Sequence, residues 1–127
     1  MGNQQELDMN QDEYLYKLKD ALNSAVRDSV DRNPTQVIRG FQFEVERVTG
    51  VDSIPNIENI KLHRLLSGEE IEVNVSGTIG FFQKITDGAK GRESEFWIRP
   101  AKVKFDDKTE RFVVIDIAKF MVLDFTL

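Results

Sequence analysis

IEVNVSGTIGFFQKI, residues 71–85, is the stretch that decides the fold. Apolar and polar residues alternate along it, and a period of two is typical of a β-strand with one face in a core. At roughly 3.3 Å per residue this strand would be about 50 Å long, which is longer than a small domain is wide. We therefore expect it to bend or bulge at Gly77 and Gly80. The apolar face comprises Ile71, Val73, Val75, Ile79, Phe81 and Ile85.

An amphipathic helix is predicted upstream, over about residues 11–32. Its apolar residues recur at steps of three or four, which places them on one face. Asn10 and Glu13 resemble a capping pair, and Asn33-Pro34 predicts the end because proline disfavours α conformation in the preceding residue. Residues 1–10 are predicted to form a flexible N-terminal tail. The apolar face comprises Leu15, Leu18, Leu22, Val26 and Val30.

The chain between the helix and residue 71 contains one clear strand and two less regular segments. Phe41, Phe43 and Val45 alternate with polar residues and predict a strand. Residues 50–56 are predicted to be a loop because they are rich in Gly, Pro, Asp and Asn. Residues 57–66 fit either a helical turn or a strand, and we favour a strand because a turn signal separates them from the next strand.

Two hairpins and a change of strand face are predicted after residue 85. Residues 86–92 are a predicted flexible hairpin turn, and residues 106–110 are a second hairpin. Between them the apolar residues change phase, so we expect an edge bulge near Pro100. The apolar residues before the change are Phe96 and Ile98, and those after it are Ala101, Val103 and Phe105.

Residues 111–126 are predicted to form one strand that is apolar on both faces. One helix covers only one face of a sheet, and a contiguous apolar patch in water is unusual for a monomer. We therefore expect a homo-oligomer that forms through this strand, unless residues 57–66 fold as a helix across that face. The predicted contact residues are Phe112, Val114, Phe120 and Val122.

The elements together predict one α+β domain over residues 11–127. Its N-terminal helix packs on a curved, mainly antiparallel sheet of four or five long strands. A chain of 127 residues with 40% hydrophobic residues is large enough for a single core. Because there is no cysteine, disulfides and thiolate metal sites are excluded. Residues 1–10 do not resemble a signal peptide, and no apolar run is long enough to span a membrane, so we expect a cytoplasmic protein.

The charge of the chain is acidic overall but unevenly distributed. The net charge of −5 argues against nucleic acid as a partner, because binding to phosphates needs clustered basic residues. Residues 84–104 are the exception, with six basic and three acidic residues. Basic groups beside an aromatic ring are suited to a ligand or a partner. The candidate binding residues are Lys90, Arg92, Trp97 and Arg99.

No catalytic residue, cofactor or metal site is predicted. His63 is the sole histidine, so a catalytic triad or a two-histidine metal site within one chain is excluded. Residues 87–92 are glycine-rich but lack the spacing of a phosphate-binding loop. The alternative is a ligand or enzyme pocket between helix and sheet, in which a buried carboxylate serves as acid or base. Its lining would include Phe81, Phe96, Trp97 and Asp116.

Gln36-Val37-Ile38-Arg39-Gly40 resembles the Gln-x-Val-x-Gly hairpin motif of the cystatins, which are inhibitors of cysteine proteases. The order of helix before motif also matches. The resemblance covers these residues alone, with Ile38 in place of valine, and the Pro-Trp pair of the second cystatin hairpin has no counterpart. The resemblance implies a fold in which a curved antiparallel sheet wraps around a helix. It also implies an inhibitor that presents the turn at residues 36–40.

The sequence favours a non-enzymatic protein-interaction or adaptor domain that associates with itself and with another protein. The alternatives are the pocket between helix and sheet and the inhibitory turn. Mutations distinguish an enzyme from an adaptor. Replacing a single carboxylate should abolish the activity of an enzyme that stays folded, whereas only changes on the surface should abolish the binding of an adaptor to its partner.

Overall fold

The chain folds as an α+β domain in which a long helix packs on an open antiparallel sheet. This computed structural model describes the backbone of residues 3–38, 40–117 and 120–126, and the side chains of residues 11–37 and 40–117. The elements are α1 (Asn3–Arg32), β1 (Thr35–Ile38), β2 (Phe41–Asn56), α2 (Asn59–Leu66), β3 (Ile71–Ile85), β4 (Gly88–Asp106), β5 (Arg111–Ile117) and β6 (Phe120–Thr126). The predicted fold class is confirmed.

Helix α1 ends where the sequence predicts but starts earlier. It begins at Asn3 and ends at Arg32, directly before Asn33-Pro34. Asn10 and Glu13 therefore lie inside the helix and do not cap it. The flexible-tail prediction for residues 1–10 stays a prediction, because their side chains lie outside the described part. The fully buried residues of α1 are Leu18, Leu22, Val26 and Val30.

Strand β3 has the predicted bounds and pairs with β2 on one side and β4 on the other. A Cβ atom at Gly77 would collide with the carbonyl oxygen of Asp52 and lie 2.9 Å from the ring of Phe96. The glycine therefore lets the ring lie across β3. The irregularity near Gly80 lies in the neighbouring strand, since Val48 opposes Phe81 while Gly50 opposes Gly80. Thr49 is thus the extra residue of a bulge in β2.

Residues 50–56 are not a loop, so that prediction is wrong. They form the second half of β2, with Gly50 opposite Gly80 and Asn56 opposite Asn74. Continuous pairing with β3 supplies partners to the backbone, and this outweighs the turn preference of individual residues.

Residues 57–66 are mostly helical, so the prediction of a strand is wrong. Helix α2 spans Asn59–Leu66 and buries Leu62 and Leu65. Ser67 donates its N–H to the carbonyls of His63 and Arg64, and Gly68, at φ +93°, donates to the carbonyl of Leu65. Ser67-Gly68 is therefore the end of a helix rather than a link between strands.

Strand β4 contains the predicted bulge, which keeps its buried apolar residues on one face. Val75 opposes Ile98 while Val73 opposes Ala101, so β4 has one residue more than β3 at Arg99 and Pro100. The hairpin before β4 is tighter than predicted, because Ile85 already opposes Gly88. The buried residues are Phe96, Ile98, Ala101, Val103 and Phe105.

β5 and β6 lie one after the other along β4 and make up the described part of the predicted strand 111–126, while residues 118 and 119 between them lie outside the described part. β5 pairs with Ala101–Asp106 and β6 with Glu93–Ile98. The second predicted hairpin is confirmed, with Asp106 opposite Arg111. The six strands thus occupy five positions, and α1 contacts β2 and β5. The sheet curves around the helix and brings its last position beside it.

Candidate functional site

One side of the sheet is blocked by the N-terminal part of the chain. β1 pairs with the start of β2, and the N–H of Val45 then donates to the carbonyl oxygen of Pro34 at 2.8 Å. Further along, the N–H of Ser53 donates to Oδ1 of Asn23 in α1 at 2.7 Å. An ion pair of 2.6 Å between Lys19 and Asp52 lies next to it. These contacts occupy two N–H groups of β2 beyond its pairing with β1.

The opposite side of the sheet is an open edge. Within the described part of the chain, β4 is the only element that hydrogen-bonds to the backbone of β5. An edge strand carries a row of unpaired N–H and C=O groups, which is a template for one more strand. β5 is therefore the place where this fold accepts another chain most readily.

A groove separates β5 from α1 because the helix presents small residues there. Ala21, Ser24 and Ala25 line a cavity of about 730 Å³, together with Phe112 and Val114 of β5. A second cavity of about 360 Å³ continues toward the end of the helix, between Ser29 and Ile117. The groove thus follows β5 along its length.

Charges of both signs surround this groove. Lys17, Asp20 and Asp28 come from α1, whereas Glu110 ends the turn before β5 and Arg111 begins β5. Such a mixed rim around an apolar floor is typical of a surface that binds protein.

The outward side of β5 is apolar and accessible. Val113 is 47% exposed and Ile115 is 45% exposed. Ile115 is the extra residue of a bulge, since Lys102 opposes Asp116 while Val103 opposes Val114.

The predicted oligomer-contact residues are only partly within the described side chains. Phe112 is 6% exposed and belongs to the core, and Val114 is half-buried against it. Phe112 packs on Phe105 with a centroid distance of 4.9 Å, and its remaining surface lines the groove. The side chains of Phe120 and Val122 lie outside the described part. On β5, Val113 and Ile115 are the apolar residues that remain accessible.

The four predicted binding residues do not form a single patch. Lys90 and Arg92 share their side of β4 with the buried Phe96, whereas Trp97 and Arg99 lie on the opposite side. Arg92 Nε donates to Gln83 Oε1 at 2.9 Å.

Trp97 and Arg99 form a compact pair of their own. The guanidinium carbon of Arg99 lies 3.9 Å from the centre of the Trp97 ring, which is a cation–π contact. The structure thus splits the predicted basic patch into two smaller groups.

The residues of the alternative pocket are not brought together either. Phe81 and Phe96 are buried in the core, Trp97 faces away from it, and Asp116 is exposed. His63 is exposed on α2, with its Nε2 atom 3.1 Å from Gln11 Nε2. Among the described residues, no group of three or more His or acidic side chains is placed to hold a metal ion. No helix in the described part is long and apolar enough to cross a bilayer.

Residues 36–38 of the segment 36–40 belong to β1, and Gly40 directly precedes β2. Gly40 has φ +82°, and Gln36 Nε2 donates to the carbonyl oxygen of Asn33 at 2.7 Å. Val37 and Phe41 are both largely exposed, Phe41 at 75%. The side chains of Ile38 and Arg39 lie outside the described part.

The groove is the feature that sequence reasoning missed. A signal for half of it is present, because Ala21, Ser24 and Ala25 fall together on one flank of the predicted helix. The other half depends on which strand occupies the end of the sheet. That is decided by pairing between distant segments and leaves no local pattern.

The chain matches none of the protein-family models with which it was compared. Searches of curated proteins and of solved structures likewise found no match. The likeness to cystatins therefore stays confined to residues 36–40.

Proposed function

We propose that this chain is a non-enzymatic protein-interaction domain that binds an extended segment of a partner protein at the edge of β5. The partner segment adds a strand to the sheet and lies in the groove beside α1. The observation that carries the proposal is the open backbone edge of Arg111–Ile117 next to a groove of about 730 Å³. Strand addition at an exposed edge is a common way to recognise peptides.

The distribution of hydrogen bonds along the sheet supports this proposal. The opposite side of the sheet uses Pro34 and Asn23 to occupy the N–H groups of Val45 and Ser53. No described residue does this for β5. Main-chain bonds then supply the affinity, and the apolar floor at Phe112 and Val114 selects the inward side chains of the partner.

The test uses peptides of about ten residues, selected from a random library for binding to the intact chain. A bound peptide should slow amide hydrogen exchange in β5. The variant Ile115→Lys should weaken binding by about tenfold or more, which is about 1.4 kcal/mol, because a charged residue on an edge strand opposes pairing.

Ile85→Lys is the matched control, since Ile85 is an isoleucine of nearly equal exposure, 48% against 45%, on β3. It should leave binding unchanged. Equal losses in both variants, or protection of amides outside β5, would reject the edge as the binding site.

The hairpin around residues 36–40 supports a second candidate function, in which the chain presents it to another protein as an inhibitor does. The supporting observation is the exposure of Val37 and Phe41. A Phe41→Ser variant that keeps every interaction of the chain would exclude this function.

A further inference from the structure

The outer face of β5 carries an ordered row of charged and apolar side chains. Lys102 and Lys104 of β4 alternate with buried residues, so they point outward, and Asp116 and Val113 oppose them. By the same register, Arg111 lies outward opposite Asp106. The row therefore reads Arg111, Val113, Asp116, with Ile115 as the residue of the bulge.

The two charges of this row make no ion pair within the described part of the chain. Arg111 and Asp116 are both exposed, and neither makes an ion pair with any residue that the structure describes. A positive charge before an apolar centre and a negative charge after it make a pattern that is complementary to itself when one copy is reversed.

We propose that the edge of β5 binds a second copy of this chain, antiparallel and about a two-fold axis at Val113. This rests on the proposed function, because it needs the edge to accept a strand. With Ile115 bulged out, as it is against β4, Val113 opposes its own copy. Arg111 then opposes the partner subunit's Asp116, and the symmetry forms this pair twice.

The register of the pairing is specified by these charges. A parallel arrangement in register would place Arg111 beside the partner's Arg111, and like charges in opposed positions destabilise a sheet. A shift by one residue would move every side chain to the other face and leave both charges without partners. The antiparallel register centred on Val113 is thus the one that satisfies both charges.

The second copy uses the same backbone groups as a partner segment, so the two compete. When two copies pair, the backbone groups of the edge are occupied. A partner segment of higher affinity displaces the second copy. A selected edge-binding peptide should therefore convert the dimer into monomers, each carrying one peptide.

The experiment measures mass by light scattering over a range of micromolar concentrations. The wild-type chain should approach twice 14.6 kDa. Arg111→Glu and Asp116→Arg should each raise the dissociation constant by about tenfold or more, since each replaces two attractive pairs by two repulsive ones.

Mixing the two variants provides the decisive measurement. Glu at 111 in one chain then opposes Arg at 116 in the other, and the unaltered Asp116 opposes the unaltered Arg111. The mixture should therefore form a heterodimer, which native mass spectrometry resolves when one variant carries a tag. Circular dichroism of each variant checks that both remain folded.

Two outcomes would overturn the inference. If the wild-type chain has a mass of 14.6 kDa throughout while library peptides still protect β5, the edge binds partners but not a second copy. If the wild-type chain dimerises but the mixed variants do not recover, the copies meet at another face. If the peptides fail to protect β5 while the two mixed variants still form a heterodimer, the partner segment of the proposed function is rejected and the pairing of two copies stands.

Discussion

Gly77 is the residue at which packing within this sheet depends most directly on the absence of a side chain. The ring of Phe96 and the carbonyl of Asp52 occupy the space that a Cβ atom would need. The ring thereby covers the strand at the centre of the sheet. Asn23 has a comparable role in the helix, because its side chain accepts the hydrogen bond of the Ser53 backbone.

We expect Gly77→Ala to lower the free energy of unfolding by about 1 to 3 kcal/mol, because the added methyl group overpacks the core. Gly50→Ala is the control, since nothing lies within 4 Å of a Cβ atom there. It should leave stability unchanged or raise it by up to about 1 kcal/mol. Urea denaturation measures both, and equal stabilities of the two variants would contradict the crowding at Gly77.

At the scale of elements, long periodic segments could be predicted from the sequence and short ones could not. β3 alternates over its full length, and Asn33-Pro34 marks the end of α1. α2 has only eight residues, so its apolar positions fit both periods. Whether β5 lies at the edge depends on the order in which distant strands pair, so the sequence predicts only that this part of the candidate site is apolar.

The burial of α2 predicts which of its aliphatic residues stabilise the fold. Leu65→Ala should lower the free energy of unfolding by about 2 to 5 kcal/mol, because Leu65 is fully buried. Ile60→Ala, in the same helix, should change it by less than about 0.5 kcal/mol, since Ile60 is 70% exposed. Thermal denaturation compares the two, and a strong effect at Ile60 would mean that the helix is rotated.

At the scale of the whole molecule, the core joins α1, α2 and the sheet. The cluster of buried residues runs from Leu18 of α1 through Leu65 of α2 to Phe112 of β5. Edge-to-face contact between Tyr14 and Phe105, with ring centroids 5.5 Å apart, adds the first part of the helix. A shared core of this kind favours unfolding in one cooperative step.

Two probes therefore should report the same transition. Far-ultraviolet circular dichroism follows mainly the helices, while the fluorescence of Trp97, the one tryptophan of the chain, follows the outer face of β4. We expect their midpoints in urea to coincide. Separate midpoints would mean that the helices and the sheet unfold as independent units.

The unequal sides of the sheet also limit how far strand addition can proceed. A fibre grows when every added molecule offers a fresh edge to the next. Here β1 is only four residues long, and Pro34 and Asn23 occupy N–H groups on the same side of β2. In the terms of polymer chemistry the chain is a monofunctional monomer, so the union of two β5 strands ends growth. Raising the protein concentration should increase the fraction of chains in the dimer and produce no filament.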